Sequence, residues 1–426
     1  RRDRRAGGGR GAGTTGGGAV TWLALVESNT TGSGRQFCSA ARELGLRPVV
    51  LTAAAERYPY LAEDGVCHLA VDTGDSAKVL AACRRLAAGA GLAGVTSSSE
   101  YFVATAAAVC ARLGLAAPDP ETIVRCRNKD RQRAALAAAG VAVPLFRTAA
   151  EAADAVAAAA HIGFPVVVKP TTGSGSVGVR LCATAGEVAR HAAALLAASV
   201  DERGRAIPKT VLVEQYVTGA ELSVETFDGT VVGVVAKHLG PEPYFVETGH
   251  DFPAADVPAG VADTALRALS ALGLGWGPAH TELRRGPDGP VVIEVNPRLA
   301  GGMIPTLVRL ATGVDLVAAT VARAAGRRVR TRAMRSGHAA IRFATASRAG
   351  AVTSVRGTGA ARAVPGVELA EITVSPGTSV LEITHSFRDR FGYAVATGPD
   401  AATAAARAER AVAHLQILTA EPQETR

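Results

Sequence analysis

Apolar residues in the first quarter of the chain fall in short runs that alternate with longer Ala- and Leu-rich stretches. The strand-like runs are 20–26, 47–53, 67–71 and 93–99, and the helix-like stretches are 35–45, 76–89 and 100–113. Strands that alternate with helices of this length predict a parallel sheet covered by helices. We therefore expect a Rossmann-like α/β domain over 19–120, closed by the turn sequence APDP.

Beyond residue 120 the pattern becomes richer in strands. The predicted helices are 127–140, 149–160, 260–272 and 400–417, and the strand-rich segments are 166–181, 211–227, 230–239, 279–305 and 335–398. Turn residues separate the apolar runs within those segments. The pattern predicts an α+β domain over 121–332 and a β-rich C-terminal domain over 333–426, so that the fold class is mixed α/β.

The composition is that of a globular protein, with 48% hydrophobic and 20% charged residues. The first eighteen residues are the exception, because they are Gly- and Arg-rich without apolar periodicity, and we predict a disordered tail over 1–18. Half of the net charge of +8 lies there, since residues 1–10 hold five Arg and one Asp. The Arg-rich run 323–335 lacks the aromatic residues of a nucleic-acid site, so we expect no nucleic-acid partner.

The six cysteines are scattered and form neither a C-x-x-C pair nor a metal-binding cluster with histidine. Most have apolar neighbours, which is typical of small buried residues in a reducing cytoplasm. No window holds eighteen uninterrupted apolar residues, so we expect no membrane span. The twin arginines at the start are not followed by an apolar signal core of sufficient length. These observations predict a cytoplasmic protein.

The segment VVVKPTTGSGSVGVRL (166–181) combines a lysine with a glycine-rich loop. It is not a Walker loop, and the apolar run after it predicts a strand rather than the helix of a dinucleotide site. A hairpin loop of this kind can present backbone N–H groups to phosphates. Lys169 ends a β-branched strand, where a charge needs a partner such as a phosphate group. Lys129, forty residues earlier, is a second candidate phosphate ligand.

The segment HTELRRGPDGPVVIEVNPR (280–298) contains the turn sequence PDG between two strand-like runs. If Asp288 is the centre of the hairpin, Glu282 and Glu294 are cross-strand neighbours on one face. Two such carboxylates repel each other unless a cation lies between them, and Mg²⁺ prefers oxygen ligands. Asn296 follows on the same face, and the guanidinium of Arg298 can bind a carboxylate or phosphate in a bidentate manner.

Together these segments resemble the ATP-grasp superfamily over residues 120–330. The glycine loop resembles the family's phosphate-binding loop, EQYV (214–217) its adenine hinge, and Glu282 with EVNPR (294–298) its magnesium motif. Within the superfamily, VESNTTGSG near the start, ETGHDFPA (247–254) and NPRLAGGMIP (296–305) resemble carboxylate–amine ligases of the L-amino-acid (dipeptide) ligase type. The resemblance implies an ATP-grasp domain of two α+β lobes.

The resemblance also implies a role for each matching residue. Mg²⁺ (or Mn²⁺) would be held by Glu282, Glu294 and Asn296, and Arg298 would contact the acylphosphate. The acid substrate would meet Glu247 and His250, while Gly301 and Gly302 would leave room for a bulky acid. ATP would be bound by Lys129, Lys169, the loop residues Gly173, Ser174, Gly175, Ser176 and Val177, the hinge residues Glu214, Gln215, Tyr216 and Val217, and Glu221.

The activity implied is ATP-dependent joining of a carboxylate and an amine through an acylphosphate, with ADP and phosphate as products. Arg298 and Lys169 would be the catalytic residues, the partners would be small molecules, and a homodimer is possible. Two alternatives remain open. One is an ATP-grasp enzyme of the biotin-carboxylase or purine-pathway type, and the other is an ATP-binding scaffold without catalysis.

Overall fold

The computed structural model describes residues 21–29, 33–201, 203–381 and 385–420. The tail predicted over 1–18 lies outside the described residues, as does Gly32 of the segment VESNTTGSG. The described residues form a mixed α/β protein with a parallel N-terminal sheet and antiparallel sheets after it. The predicted fold class is confirmed.

The N-terminal domain is a parallel sheet with helices on both faces. Its elements are β1 (Trp22–Val26), α1 (Ser33–Glu43), β2 (Arg47–Thr52), α2 (Tyr60–Glu63), β3 (Cys67–Ala70), α3 (Ser76–Ala88), β4 (Leu92–Thr96) and α4 (Val103–Leu113). Leu23 and Leu25 of β1 pack on one face and Ala24 and Val26 on the other, as the two-residue period of a strand requires. The strand order β3-β2-β1-β4 reverses direction between β1 and β4, so their carboxyl ends border a crevice.

The helix predicted over 127–140 is wrong in its extent, because the chain leaves the helical conformation at Asn128. The predicted helix is the shorter α6 (Lys129–Ala138), and a separate helix, α5 (Pro120–Arg127), precedes it. Asp119 caps α5 through its side chain, which accepts a hydrogen bond from the backbone N–H of Thr122. The break brings the backbone N–H of Lys129 within 2.8 Å of the carbonyl oxygen of Thr171. Lys129 is therefore fixed beside the glycine loop.

A small antiparallel sheet with two helices follows. It contains β5 (Phe146–Ala149), α7 (Ala152–Ile162), β6 (Val166–Pro170), β7 (Arg180–Cys182), α8 (Ala185–Ala197) and β8 (Val211–Gln215), with the strand order β5-β8-β6-β7. β6 pairs with β7 as predicted, but β7 begins later than the apolar run VGVRL suggests. The connecting loop therefore spans residues 171–179.

Most strands of the remaining chain belong to one eight-stranded sheet. Its first part contains β9 (Glu221–Phe227), β10 (Thr230–Leu239), β11 (Glu247–Phe252), α9 (Val261–Leu272), β12 (Pro278–Gly286), β13 (Gly289–Asn296), α10 (Ile304–Thr312) and α11 (Leu316–Ala324). α9 packs on one face of this sheet and α10 on the other. Val317 and Val321 of α11 also pack against the N-terminal domain, which joins the two regions.

The C-terminal region continues the same sheet. Its elements are β14 (His338–Ala344), β15 (Gly350–Arg356), α12 (Thr358–Arg362), β16 (Val367–Ile372), β17 (Ser379–Val380), β18 (Gly392–Gly398), α13 (Ala401–His414) and β19 (Gln416–Thr419). β14 pairs with β11, so the full order is β13-β12-β9-β10-β11-β14-β18-β16. The helix predicted over 400–417 ends earlier, because its last residues form β19. The shared sheet places the C-terminal region beside the strands that carry the predicted site.

Within the described residues no single helix is long and apolar enough to cross a membrane. By length and composition alone, α10 and α11 pass that test as a pair, with a bend of 106° between them.

Candidate functional site

A cavity of about 1030 Å³ lies where the N-terminal domain, the two central sheets and the C-terminal region meet. Its wall includes Ser98 from the N-terminal domain, Lys169 from the small sheet, Glu282 from the large sheet and Tyr393 from the C-terminal region. Of the residues that the sequence predicts for the site, His250 alone does not line it. Those that do are Lys129, Lys169, Gly173, Ser174, Gly175, Ser176, Val177, Glu214, Gln215, Tyr216, Val217, Glu221, Glu247, Glu282, Glu294, Asn296, Arg298, Gly301 and Gly302.

The glycine loop is held from two sides. The Lys129 ammonium donates to the carbonyl oxygen of Gly173 at 2.9 Å, and the Ser176 hydroxyl donates to the carbonyl oxygen of Phe245 at 2.7 Å. Gly173 and Gly175 have φ values of 124° and 63°, which glycine adopts without strain. Phe387 of the C-terminal region covers Gly175 so closely that a Cβ there would overlap its ring. The loop therefore makes contact with the C-terminal region.

Lys169 ends its strand in a buried ion-pair cluster. Its ammonium pairs with Glu214, whose other oxygen accepts from Nε of Arg133 at 2.5 Å. All three side chains are almost fully buried. Burial lowers the pKa of Lys169, and Glu214 opposes that effect. Burial would raise the pKa of Glu214, but the charges of Arg133 and Lys169 outweigh it and hold the pKa below its usual value.

The predicted carboxylate pair is confirmed in its register, since Glu282 lies opposite Glu294 in the β12–β13 hairpin. The turn itself is shorter than predicted, because Gly286 pairs with Gly289. Leu283 then pairs with Val292, and an extra residue in β13, Ile293, restores the facing glutamates. Each carboxylate meets a cation: Glu294 lies 2.9 Å from Nζ of Lys129, and Glu282 lies 2.8 Å from Nζ of Lys237.

Lys237 joins three parts of the cavity wall. Its buried ammonium lies 2.7 Å from Glu221, 2.8 Å from Glu282 and 3.1 Å from Glu247. Burial would lower the pKa of Lys237, but the three carboxylates raise it well above its ordinary value. The lysine stays charged and fixes the acidic side chains relative to one another.

Arg298 is paired with the N-terminal domain. Its Nε and Nη2 donate to Oε2 of Glu100 at 2.8 and 2.5 Å. Arg127 lies 3.6 Å from the other oxygen of Glu100. The guanidinium is therefore oriented at the cavity wall by a residue far away in the sequence.

Comparisons with known proteins agree with the resemblance drawn from the motifs. A family model described as ATP-grasp domain matches residues 162–306, one described as ATP-grasp N-terminal domain matches 38–117, and one described as L-amino acid ligase C-terminal domain 2 matches 342–420. The three matched segments follow one another in chain order and fall within the three domains predicted from the sequence. The chain belongs to the ATP-grasp superfamily. Its C-terminal region matches the domain described for L-amino acid ligases.

Among the relatives of this ATP-grasp protein, the uncharacterised protein y4rH of Sinorhizobium fredii is 41% identical over 393 residues, or 92% of this chain and 81% of that protein. Alanine–anticapsin ligase of Bacillus subtilis is 28% identical over 247 residues, 52% of either protein. Carnosine synthase 1 of Gallus gallus is 37% identical over 181 residues. That match covers 40% of this chain and 20% of the synthase, so the chain spans about half or less of these two ligases.

The crystal structure of L-amino acid ligase from Bacillus licheniformis is similar in fold. It superimposes with a TM-score of 0.79 at 21% identity and covers 94% of this chain and 99% of that chain. A biotin carboxylase from Campylobacter jejuni superimposes with a TM-score of 0.68 at 17% identity. At such identities the likeness concerns the ATP-grasp fold alone.

Two aromatic rings line this ATP-grasp cavity beside the hinge residues 214–217. The rings of Tyr216 and Phe245 lie 6.1 Å apart, and the Arg284 guanidinium lies within 5.6 Å of both ring centres. Arg284 also donates to the carbonyl oxygen of Val217 at 2.8 Å and to Glu221 at 3.1 Å. The two rings are tilted by 47° to each other, and Arg284 links them to the backbone of Val217.

His250 does not line the cavity but lies behind Gly302. Its imidazole is fully buried, packs edge-on against Phe343 with 5.6 Å between ring centres, and has no hydrogen-bond partner among the described residues on either nitrogen. Burial lowers the pKa of His250 to about 3, so the ring is neutral. Gly302 has a φ of 58°, and a Cβ there would overlap the Nε2 atom of His250. Gly301 and Gly302 form a part of the cavity surface, the glycine wall, and His250 packs behind it.

Several cavity residues were not predicted from the sequence. Lys237 is a charge inside the apolar strand run VVGVVAKHL, which is the same signal that identified Lys169. Glu100 and Arg390 carry no such signal, because neither is an isolated charge within an apolar strand: Glu100 begins a short 3₁₀ helix and Arg390 lies in a loop. Only the folded chain brings them to Arg298 and Glu247.

Proposed function

We propose that the protein is an ATP-dependent ligase that joins the carboxylate of one small acid to the amine of another molecule, with an amino acid or a similar acid on at least one side. The observation that carries the proposal is the convergence of two lysines, a facing carboxylate pair and an arginine on one cavity, namely Lys129, Lys169, Glu282, Glu294 and Arg298. The family membership and the ligases among the relatives support it.

ATP would lie with its base near the hinge and its phosphates under the glycine loop. Tyr216 and Phe245 would contact the purine, and Glu221 would accept hydrogen bonds from the ribose. The backbone N–H groups of the loop, together with Lys129 and Lys169, would neutralise the phosphates.

The donor set of the hairpin fits Mg²⁺ or Mn²⁺. Glu282 from β12, and Glu294 and Asn296 from β13, offer oxygen atoms on one face of the hairpin, and such atoms are what a hard divalent cation requires. Among the described residues no three His, Cys, Asp or Glu side chains are grouped to hold a metal, which leaves this smaller set with the phosphates as the remaining ligands. The metal would supply charge neutralisation on the β- and γ-phosphates.

In the first chemical step, a carboxylate oxygen of the acid attacks the γ-phosphorus of ATP. The bond from that phosphorus to the β,γ-bridging oxygen breaks, and ADP leaves. Lys169 balances the charge of the transferred group, and Arg298, oriented by Glu100, binds the acylphosphate.

In the second step, the nitrogen of the amine attacks the acyl carbon. The carbon–oxygen bond to phosphate breaks, the departing phosphate takes up the proton that the nitrogen loses, and the amide is released with inorganic phosphate. Arg298 would stabilise the oxyanion of the tetrahedral intermediate. The glycine loop, held by Lys129 and Ser176, would exclude water that otherwise hydrolyses the acylphosphate.

A phosphate-release screen of pairs of amino acids and related acids, with mass analysis of the products, tests this proposal. We expect ADP, phosphate and an amide product only when ATP, the metal, an acid and an amine are all present. ATP binding without turnover over the whole panel would favour a scaffold, and turnover that depends on bicarbonate would favour the carboxylase alternative.

A further inference from the structure

Arg390 is a buried arginine that the C-terminal region contributes to the cavity. It follows a short 3₁₀ turn, Phe387–Asp389, and its side chain is 12% exposed. The guanidinium carbon lies 4.2 Å from the ring centre of Phe343, and Nη1 lies 3.0 Å from Oε2 of Glu247. None of the motifs that identify the family contains this residue.

The hydrogen-bond donors of Arg390 outnumber the acceptors around it. Nε donates to the carbonyl oxygen of Phe387 at 3.3 Å, and Nη1 donates to Glu247. Nη2 makes no hydrogen bond to any residue in the described ranges. An arginine fork presents two parallel donors to a carboxylate, so a donor left open at a cavity wall is suited to an anionic oxygen.

The carboxylate of Glu247, by contrast, is already paired on both oxygens. Oε1 lies 3.1 Å from Nζ of Lys237, and Oε2 lies 3.0 Å from Arg390. An ammonium group of a ligand at this position would be a third cation beside one carboxylate. Burial lowers the pKa of Arg390, and Glu247 only partly opposes that effect, which is typical of a cation without sufficient counter-charge.

Two series of contacts connect Arg390 with the reacting end of the cavity. One runs from Glu282 through Lys237 to Glu247 and Arg390. The other runs from the glycine wall at Gly302 through His250 to the ring of Phe343, on which Arg390 lies. Lys237 and Glu247 therefore separate Arg390 from the predicted metal ligand Glu282, and the distal end of an acid would lie beside Arg390.

We propose that Arg390 binds a second, distal carboxylate of the acid substrate, so that the preferred acid is a dicarboxylic one. The inference rests on the proposed ligase function and names the substrate class of the same site. The aromatic side chains of Phe343, Phe387 and Tyr393 enclose the carbon chain, and the guanidinium selects its charged end.

The experiment compares pairs of acids of the same shape. One member of each pair carries a second carboxylate, and the other carries an amide in its place. Succinate against succinamate, L-aspartate against L-asparagine, and L-glutamate against L-glutamine are offered with the amine partner found in the screen. We expect the wild-type protein to prefer the carboxylate member by roughly ten- to hundredfold in kcat/KM, since one charge-assisted hydrogen bond is lost in the amide.

Arg390→Met is expected to bring that ratio close to one, and Arg390→Lys to keep part of the preference because it keeps the charge. The KM for ATP and the melting temperature show whether the variants stay folded. Arg356→Met, an exposed arginine on β15, removes the same charge from the same region and is expected to leave the ratio unchanged.

Ligation of neutral monocarboxylic acids at least as fast as of dicarboxylic ones would overturn the inference and leave the ligase proposal standing. A preference that survives in Arg390→Met would overturn it as well. Absence of ADP formation with every acid and amine would instead refute the proposed function itself.

Discussion

Glu282 and Glu294 face each other across the β12–β13 ladder, yet each carboxylate pairs with a lysine from elsewhere in the chain. Lys129 comes from the start of α6 and Lys237 from β10. The two lysines relieve the repulsion between the carboxylates. A divalent cation bound by the two carboxylates would share their oxygen atoms with the two lysines.

Replacing Glu294 by glutamine tests this pair. Glu294→Gln keeps the shape and an oxygen atom but removes the charge, so we expect kcat for ADP formation to fall by at least about a hundredfold. We also expect the Mg²⁺ concentration that gives half-maximal activity to rise. A coupled ADP assay at several metal concentrations measures both effects.

Glu56→Gln, at an exposed position of the N-terminal domain, is the matched control for loss of one carboxylate. It should behave as the wild type. Full activity of Glu294→Gln, or of Glu294→Ala, with an unchanged response to Mg²⁺ would refute the metal assignment.

Gly175→Ala tests the contact between the glycine loop and the C-terminal region. The substitution adds a Cβ where the ring of Phe387 lies, at a residue with a φ of 63°. Strain of this kind costs on the order of 1–3 kcal/mol. We expect the loop to open and the KM for ATP to rise by roughly tenfold, as initial rates over a range of ATP concentrations would show.

Gly186→Ala is the matched control, because it lies in α8 with only the end of the Arg190 side chain nearby. The double variant Gly175→Ala, Phe387→Ala should recover part of the ATP affinity, since the ring that the new methyl group meets is gone. A KM for ATP that stays at the wild-type value in Gly175→Ala would show that the contact does not govern the loop.

The sequence predicts those parts of the site that depend on local geometry. A turn with nearly symmetric strands fixes which residues face each other, so Glu282 and Glu294 can be paired without coordinates. Even here the hairpin needs an extra residue, Ile293, to restore the register after a shorter turn. An apolar strand that contains one polar residue is also informative from the local sequence alone, as Lys169 shows.

Contacts between distant segments leave no comparable trace in the sequence. Arg298 and Glu100 are 198 residues apart, and Arg390 and Glu247 are 143 apart. Glu100 and Arg390 do not look unusual among their neighbours, because what joins them to Arg298 and Glu247 is the packing of whole domains. Lys237 is the exception, since a lysine within an apolar strand is costly to bury without partners.

Gly301 is the position at which the width of the acid site can be tested. A Cβ there meets nothing within 4 Å, and the residue lines the cavity. Gly301→Trp should therefore place its indole ring in the cavity and shift the preference from bulky to small acids. Product ratios from mixtures of a small and a large acid measure this shift.

A substitution of Gly302 cannot test the width of the acid site, although the sequence predicts that both Gly301 and Gly302 leave room for the acid. Its φ of 58° and the nearby His250 strain any side chain, so Gly302→Ala should lower the melting temperature. A large-acid preference that persists in Gly301→Trp would show that the acid binds elsewhere in the cavity.

His250 gives the protein a predictable sensitivity to acid. Its pKa is about 3 in the folded protein and near the ordinary value of 6.5 in the unfolded chain. Between these values the unfolded chain binds one more proton, so the free energy of unfolding falls as the pH drops, by at most about 1.4 kcal/mol per pH unit. Loss of stability should begin near pH 6.5.

His250→Leu removes the titrating ring and keeps an apolar side chain against Phe343. We expect urea unfolding at about pH 7, 6 and 5 to show a slope that is shallower by one proton than that of the wild type. His161→Gln, at an exposed position, is the control and should keep the wild-type slope. Because the ring lies behind the glycine wall, the KM for the acid should change little. A large rise in that KM with an unchanged slope would mean that His250 contacts the substrate and becomes accessible when the site is occupied.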